Sequence, residues 1–195
     1  MSENPISISN INDFIFCPVS IFFHSIDEEE KMITRCSDQI NGTESHKNSD
    51  LATYSSKKSM LQGVSVYCEE YNLLGKIDTF DVETGILTER KKKITTIYDG
   101  YVFQVYAQYF ALSEMGYNVN EIRLYSMEDN KVYPIENPYE NIIMFEKFKK
   151  VLDDINTFSF NGFVQTNILK CERCIYELLC SFSLLKGDVK SVYRT

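Results

Sequence analysis

The sequence predicts a mixed α/β domain with a cysteine-bearing tail, and three observations carry that prediction. Apolar residues recur at helical spacing in some segments and at strand spacing in others, in the order helix, sheet, helix, sheet, helix. A hydrophobic content of 44% with only 8 Gly and 4 Pro describes a packed chain rather than a disordered or fibrous one. The 195 residues are enough to bury a sizeable core as one domain.

The elements follow in order. In the stretch from Ile6 to Ile26, Asn10 followed by Asp13 marks a helix start, and Ile11, Phe14, Ile15, Ile21 and Phe22 supply an apolar face. Pro18, directly after Cys17, imposes a bend between two short helices. Residues 27–62 are polar, charged and serine-rich, and are read as a helical arm with an exposed loop. Strand character begins at Val64 to Tyr67 and continues from Leu73 to Phe80. Glu83-Thr84-Gly85 supplies a turn, and Ile86 to Lys91 returns antiparallel. Val102, Val105, Tyr109 and Leu112 predict a helix from Tyr101 to Met115, with Gly116 as its C-terminal cap. Two further strands, Glu121 to Met127 and Lys131 to Ile135, are joined by a polar turn. Pro138 introduces a last helix from Tyr139 to Ile155, with Ile142, Phe145, Phe148, Leu152 and Ile155 as its buried stripe.

Composition narrows the function. A net charge of −8 argues against a protein coated for non-specific nucleic-acid binding, although Arg90 to Lys93 and Lys147, Lys149 and Lys150 form local basic clusters. Such runs are usually solvated faces. No apolar run approaches the roughly 18 to 20 residues that cross a bilayer, and no secretory leader pattern opens the chain, so the expected location is the cytoplasm, away from membranes.

Reducing cytosol makes clustered thiols better candidates for metal or redox work than for disulfides. Cys171, Cys174 and Cys180 form a C-x2-C-x5-C run near the end of the chain, and the distant Cys17 would tie the amino-terminal segment to it. Four thiolates suit either tetrahedral Zn²⁺ or an iron–sulfur cluster, and spacing does not choose between them. A thioredoxin-like redox pair fits less well, because a third cysteine follows and the position is late in the chain. Cys36 and Cys68 are read as small buried hydrophobes.

A second constellation looks like chemistry. Glu89 and Lys91 are two apart on one strand and project to the same side, and a hairpin brings Asp78 across to them. Two carboxylates at close range call for a cation between them, and Mg²⁺ or Mn²⁺ with oxygen ligands meets that need. Gln104 and Gln108 stand one turn apart on the helix that follows. Of the two histidines, His24 is read as structural and His46, after Gly42, as a metal ligand.

Gly42 to His46, Gly75-Lys76-Ile77-Asp78, Glu89-Arg90-Lys91 and Gln104 to Gln108, in that order, resemble the RecB-like branch of the PD-(D/E)XK nucleases. With Phe16-Cys17-Pro18 at the start and Cys171, Cys174 and Cys180 at the end, the chain is similar to the CRISPR-associated exonucleases called Cas-four. The resemblance implies a restriction-endonuclease-like core of mixed sheet flanked by helices. It implies a single nuclease domain over residues 1–195, with 1–26 and 165–182 joined by a [4Fe–4S] cluster on the four cysteines and 27–62 as the helical arm. It further implies a metal-dependent exonuclease on single-stranded DNA, cutting 5′ to 3′, that trims prespacer overhangs and helps select them by protospacer-adjacent motif, beside the CRISPR integrase and its small companion subunit. His46, Asp78, Glu89 and the carbonyl of Arg90 would hold the metal, Lys91 would be the catalytic lysine, and Gln104 would brace the site. The family's helix motif commonly ends in Tyr, whereas Gln108 stands there with Tyr109 beside it. A RecB-like repair nuclease unrelated to CRISPR, and a non-catalytic metal-stapled DNA-binding or scaffold subunit, are the competing readings.

Overall fold

A computed structural model describes residues 4–27 and 59–186. The chain opens with a two-residue strand, β1 (Ile6–Ser7), too short to leave a periodic signal, and enters helix α1 (Ile8–Phe16) directly. Ser7, extended at φ −68° and ψ 130°, takes the cap position, so Asn10 and Asp13 lie inside α1 rather than at its start. The expected bend falls at Cys17, which is extended at φ −161° and ψ 119°, as the clash with a following proline ring demands. Helix α2 (Pro18–Asp27) then begins on a residue that needs no amide donor. Ser20 seals the bend, its hydroxyl donating to the Cys17 carbonyl at 2.7 Å.

The strands expected at Val64 to Tyr67 and Leu73 to Phe80 belong to a longer hairpin bent across two sheets. Strand β2 (Met60–Gln62) pairs antiparallel with β5 (Thr79–Asp81), and β3 (Ser65–Cys68) pairs antiparallel with β4 (Leu73–Lys76). Between the two halves the Ile77 amide donates to Val64 O at 3.0 Å and the Gly63 amide to Asp78 O at 3.2 Å. Gly63 has a φ of +60°, a left-handed value that bends one leg at little steric cost. The single strand Leu73 to Phe80 is therefore divided at Ile77-Asp78. Residues 60–62, expected in the helical arm, are strand because Leu61 turns onto the main core.

Two mixed sheets result. The smaller has the order β1-β4-β3, with β1 parallel to β4. The larger has the order β2-β5-β6-β7-β8, where β6 (Ile86–Lys91), β7 (Glu121–Ser126) and β8 (Lys131–Ile135) closely follow the expected ranges. β6 and β7 run parallel, so the chain must cross over between them, and helix α3 (Asp99–Glu114) makes the crossing. Val102, Val105, Phe103, Tyr106, Ala107 and Phe110 are all buried, so α3 is apolar on most of its circumference and lies inside the molecule. Gly116, at φ +88°, ends it as expected.

Helix α4 (Ile142–Thr157) starts three residues later than Pro138 suggested, because the Asn141 side chain caps it by accepting from Met144 N at 3.0 Å. Phe148 and Leu152 are buried and Phe145 and Ile155 half-buried against the core, but Ile142, in the first turn, is exposed. Phe148 stacks on Phe110 with centroids 5.9 Å apart. A second, smaller core gathers Cys17, Val19 and Cys180 with Phe16, Phe23, Phe158, Phe163 and Phe182, beside the short helix α5 (Ile168–Glu172). Among the described residues no helix is long and apolar enough to cross a membrane.

Candidate active site and thiol pocket

The register of the β5–β6 hairpin builds the first site. Thr79 lies opposite Thr88, so Asp78, where the chain leaves β4 for β5, comes to the level of Glu89. The Arg90 amide donates to Asp78 Oδ2 at 2.7 Å, a bond that takes the place of the next ladder rung. In an extended strand the amide and carbonyl of one residue face the same edge. The Lys91 carbonyl is turned the other way, towards β7, where it accepts from Met127 N at 2.9 Å. The Arg90 carbonyl is thus directed to the edge where Asp78 sits.

Glu89 is 1% exposed, and both of its oxygens are engaged. Lys91 Nζ donates to Oε1 at 2.9 Å and Gln108 Nε2 to Oε2 at 2.7 Å. Lys91 also donates to Gln104 Oε1 at 2.6 Å, and its ammonium lies 5.0 Å from the centre of the Tyr101 ring. Tyr101, Gln104 and Gln108 are three and four residues apart on α3 and form one stripe over the site. Asp78, Glu89 and Gln104 open onto a cleft of about 530 Å³, whose other wall includes Ser7, Ile8 and Ser9 at the start of α1. Gly75 lets α1 approach, since a Cβ there would meet the Ile8 side chain at 2.8 Å.

Burial, and then the nearby Asp78 charge, push the Glu89 carboxyl above its ordinary value, against the opposing pull of Lys91. For Lys91, burial favours the neutral amine, but Glu89 at contact distance overcomes it and the ammonium is held charged. Lys91 is therefore a fixed cation and donor here, not a base.

The structure brings together Asp78, Glu89, Lys91, Gln104 and the Arg90 backbone. His46 lies outside the described residues, as does Cys36. Gln108 was in the motif but without a role, and its place against Glu89 separates it from Tyr109, which packs edge-on against Phe110 in the aromatic core. Gln108 Nε2 also donates to Lys76 O at 3.2 Å, tying α3 to β4. Tyr101 carried no signal beyond its helical spacing. The basic clusters are largely paired: Lys93 with Glu128, Lys147 with Asp99, Lys149 with Glu146 and Lys150 with Asp154.

Cys17, Cys171, Cys174 and Cys180 line one small pocket with Gln165, Lys170 and Glu177. All four are free thiols, and three are buried. Gln165 Nε2 donates to Cys17 Sγ at 3.3 Å, and Lys170 Nζ donates to Ile15 O at 3.0 Å, fastening α5 to the end of α1. Burial, then the neighbouring thiols, raise the pKa of Cys174 and Cys180. Among the described residues no group of three or more histidine, cysteine or carboxylate side chains is drawn together as tightly as a single bound ion requires.

No protein-family profile matches the chain, and no curated protein matches it either. Among solved structures, the crystal structure of SSO0001 superposes with a TM-score of 0.57, covering 94% of this chain and 89% of that one at 13% sequence identity. At that identity the likeness is one of fold.

Proposed function

We propose that this chain is a metal-dependent nuclease of the RecB-like PD-(D/E)XK type that shortens single-stranded DNA ends, as the Cas-four exonucleases do with prespacer overhangs. The observation that carries the reading is that Asp78 and Glu89 line one cleft with Lys91 bonded to Glu89 behind it, while Gln104 and Gln108 from the next helix hold the lysine and the glutamate.

The donor set fits a divalent ion. Two carboxylates border the same cleft, and the Asp78 charge disfavours that of Glu89, so a cation between them relieves the repulsion. Held by these residues, Mn²⁺ or Mg²⁺ would supply a water of lowered pKa and offset charge on the scissile phosphate. The chain's own residues do the rest. The Arg90 amide fixes the rotamer of Asp78, and the Arg90 carbonyl offers a further oxygen at the same edge. Gln108 keeps Glu89 aimed. Lys91, already charged, orients the attacking water or stabilises charge on the phosphate oxygens as it develops. His46 completes the ligand set in this reading.

The four thiols line one pocket and in this reading hold a [4Fe–4S] cluster stapling Cys17 to the C-terminal run; Zn²⁺ is the alternative by donor chemistry, although the thiols are not gathered as tightly as a single ion requires. The partners that follow are prespacer overhangs, the CRISPR integrase and its small companion subunit, and the expected polarity is 5′ to 3′. Anaerobic purification with iron, sulfide and zinc analysis, followed by cleavage of end-labelled single strands with and without Mn²⁺, tests the reading. A brown protein that cuts with Mn²⁺ and loses cutting in Glu89→Ala and Lys91→Ala supports it. Full Mn²⁺-dependent cutting by Lys91→Ala refutes the site, and a colourless zinc protein that binds DNA without cutting favours a scaffold.

A further inference from the structure

The stripe on α3 that holds the catalytic groups does not stop at Tyr101. Tyr98 caps the helix, one turn further on in the same direction, and its ring meets that of Tyr101 edge-on with centroids 5.6 Å apart. Tyr101 lies over the Lys91 ammonium, and Lys91 bonds to Glu89. Tyr98 is 57% exposed, so a large aromatic face stands in water three contacts away from the Glu89 carboxylate. A tyrosine in the core needs no explanation, but this one is held by a neighbouring ring and turned outward.

The segment leading to it has a matching character. β6 ends at Lys91, and the exposed Lys92 and Lys93, which share Glu128 as their ion-pair partner, lead past buried Ile94 to Thr95, Thr96, Ile97 and Tyr98, all exposed. Ammonium and hydroxyl groups are donors for phosphate and sugar oxygens, and an aromatic face receives a base. The segment also leaves the carboxyl end of β6, at the start of the β6–α3–β7 crossover, the end of the strands at which open α/β sheets place their ligands.

We infer that Tyr98, braced by Tyr101, is a stacking platform for an unpaired nucleobase next to the scissile phosphate, and that it makes the site selective for single strands. In a duplex each base is already stacked and paired on both sides, so its face is not offered to the ring. A frayed or single-stranded end presents that face freely. The placement beside the scissile phosphate rests on the nuclease reading above, whereas the stacking itself does not.

The test separates the two. A single-stranded oligonucleotide carrying 2-aminopurine near its end is titrated in Ca²⁺, where its binding is read without cutting, and stacking quenches the fluorescence. The wild type is expected to quench, Tyr98→Phe to quench equally, and Tyr98→Ala to lose the quenching and bind roughly 10-fold more weakly. The Tyr98→Ala difference should vanish on a strand that is abasic at the end. Near-ultraviolet and far-ultraviolet spectra matching the wild type show that the variant is folded. Quenching by Tyr98→Ala equal to the wild type, or no quenching by the wild type, overturns the stacking platform. Cleavage of the same strand in Mn²⁺ is scored separately. If the wild type quenches and does not cut, the nuclease reading fails while the platform stands. If it cuts, and Tyr98→Ala keeps the wild-type KM on single strands, the platform fails while the nuclease reading stands.

Discussion

Replacing Lys91 by Met keeps the side-chain volume and removes the charge facing Glu89. That carboxyl is 1% exposed, and the ammonium 2.9 Å away is the cation bonded to it. Two routes are open to the variant at pH 7. Keeping Glu89 ionised leaves a buried charge unpaired, at about 3 to 5 kcal/mol. Protonating it, against an ordinary value of 4.5, costs about 3 kcal/mol at pH 7. The cheaper route bounds the result: Lys91→Met should lose at most about 3 kcal/mol of stability, because the wild-type Glu89 carboxyl is itself raised and already carries part of that cost. The sign with pH is fixed by the same argument. A carboxyl whose folded pKa is raised keeps a proton that the unfolded chain has released, so stability falls as pH rises above 4.5 towards the folded value. The deficit should shrink to at most about 1 kcal/mol at pH 5. Urea unfolding of the anaerobically purified chain in EDTA, at the two pH values, measures it without a divalent ion replacing the ammonium. Adding Glu89→Gln to Lys91→Met should recover much of the loss at pH 7. A Lys91→Met variant as stable as the wild type at pH 7, or a deficit that grows on acidification, would refute the argument.

Three other outcomes are expected. Gln108→Leu removes the bonds to Glu89 and to Lys76 O, and should cost about 1 to 3 kcal/mol and most of any Mn²⁺-dependent cleavage, whereas Tyr109→Phe should stay within about 0.5 kcal/mol in the same urea titration. Gly75→Ala sets a Cβ 2.8 Å from Ile8, and differential scanning calorimetry should show a loss of about 1 to 3 kcal/mol as α1 is pushed from β4. Cys68, 1% exposed and with its thiol pushed up to about 12 by burial and then by its bond to Glu114, should resist iodoacetamide at pH 8 and react once urea unfolds the chain, as peptide mass analysis would show.

What the sequence made legible, and what it hid, has physical causes in particular residues. β6 and β8 read cleanly because polar turns bracket them, and α3 because its apolar spacing persists for four turns and meets Gly116. β1 and β2 were hidden: two or three residues carry no period, and their strand state depends on partners far along the chain, Leu73 and Phe80 among them. The break at Ile77-Asp78 was hidden because both halves alternate well, and only the change of sheet separates them. Asp78 could nonetheless be placed near Glu89, since hairpin register needs only the turn at Gly85. Gln108 could not be given its role from sequence, because that role is set by which residue of α3 faces β6, and a helix apolar on most sides does not announce its polar stripe.

The candidate active site and the thiol pocket are one short helix apart. Ile8 lines the cleft that holds Asp78 and Glu89, while Cys17, the residue after α1 ends, lines the thiol pocket. Nine residues at about 1.5 Å each make a strut of about 14 Å between them. Its cleft end is seated by the absence of a side chain at Gly75, and its thiol end by the Lys170 bond to Ile15 O and the Ser20 bond to Cys17 O. A close-packed strut transmits displacement rather than absorbing it. Helix α1 therefore joins the thiol pocket, at its Cys17 end, to the wall of the cleft formed by Ser7, Ile8 and Ser9.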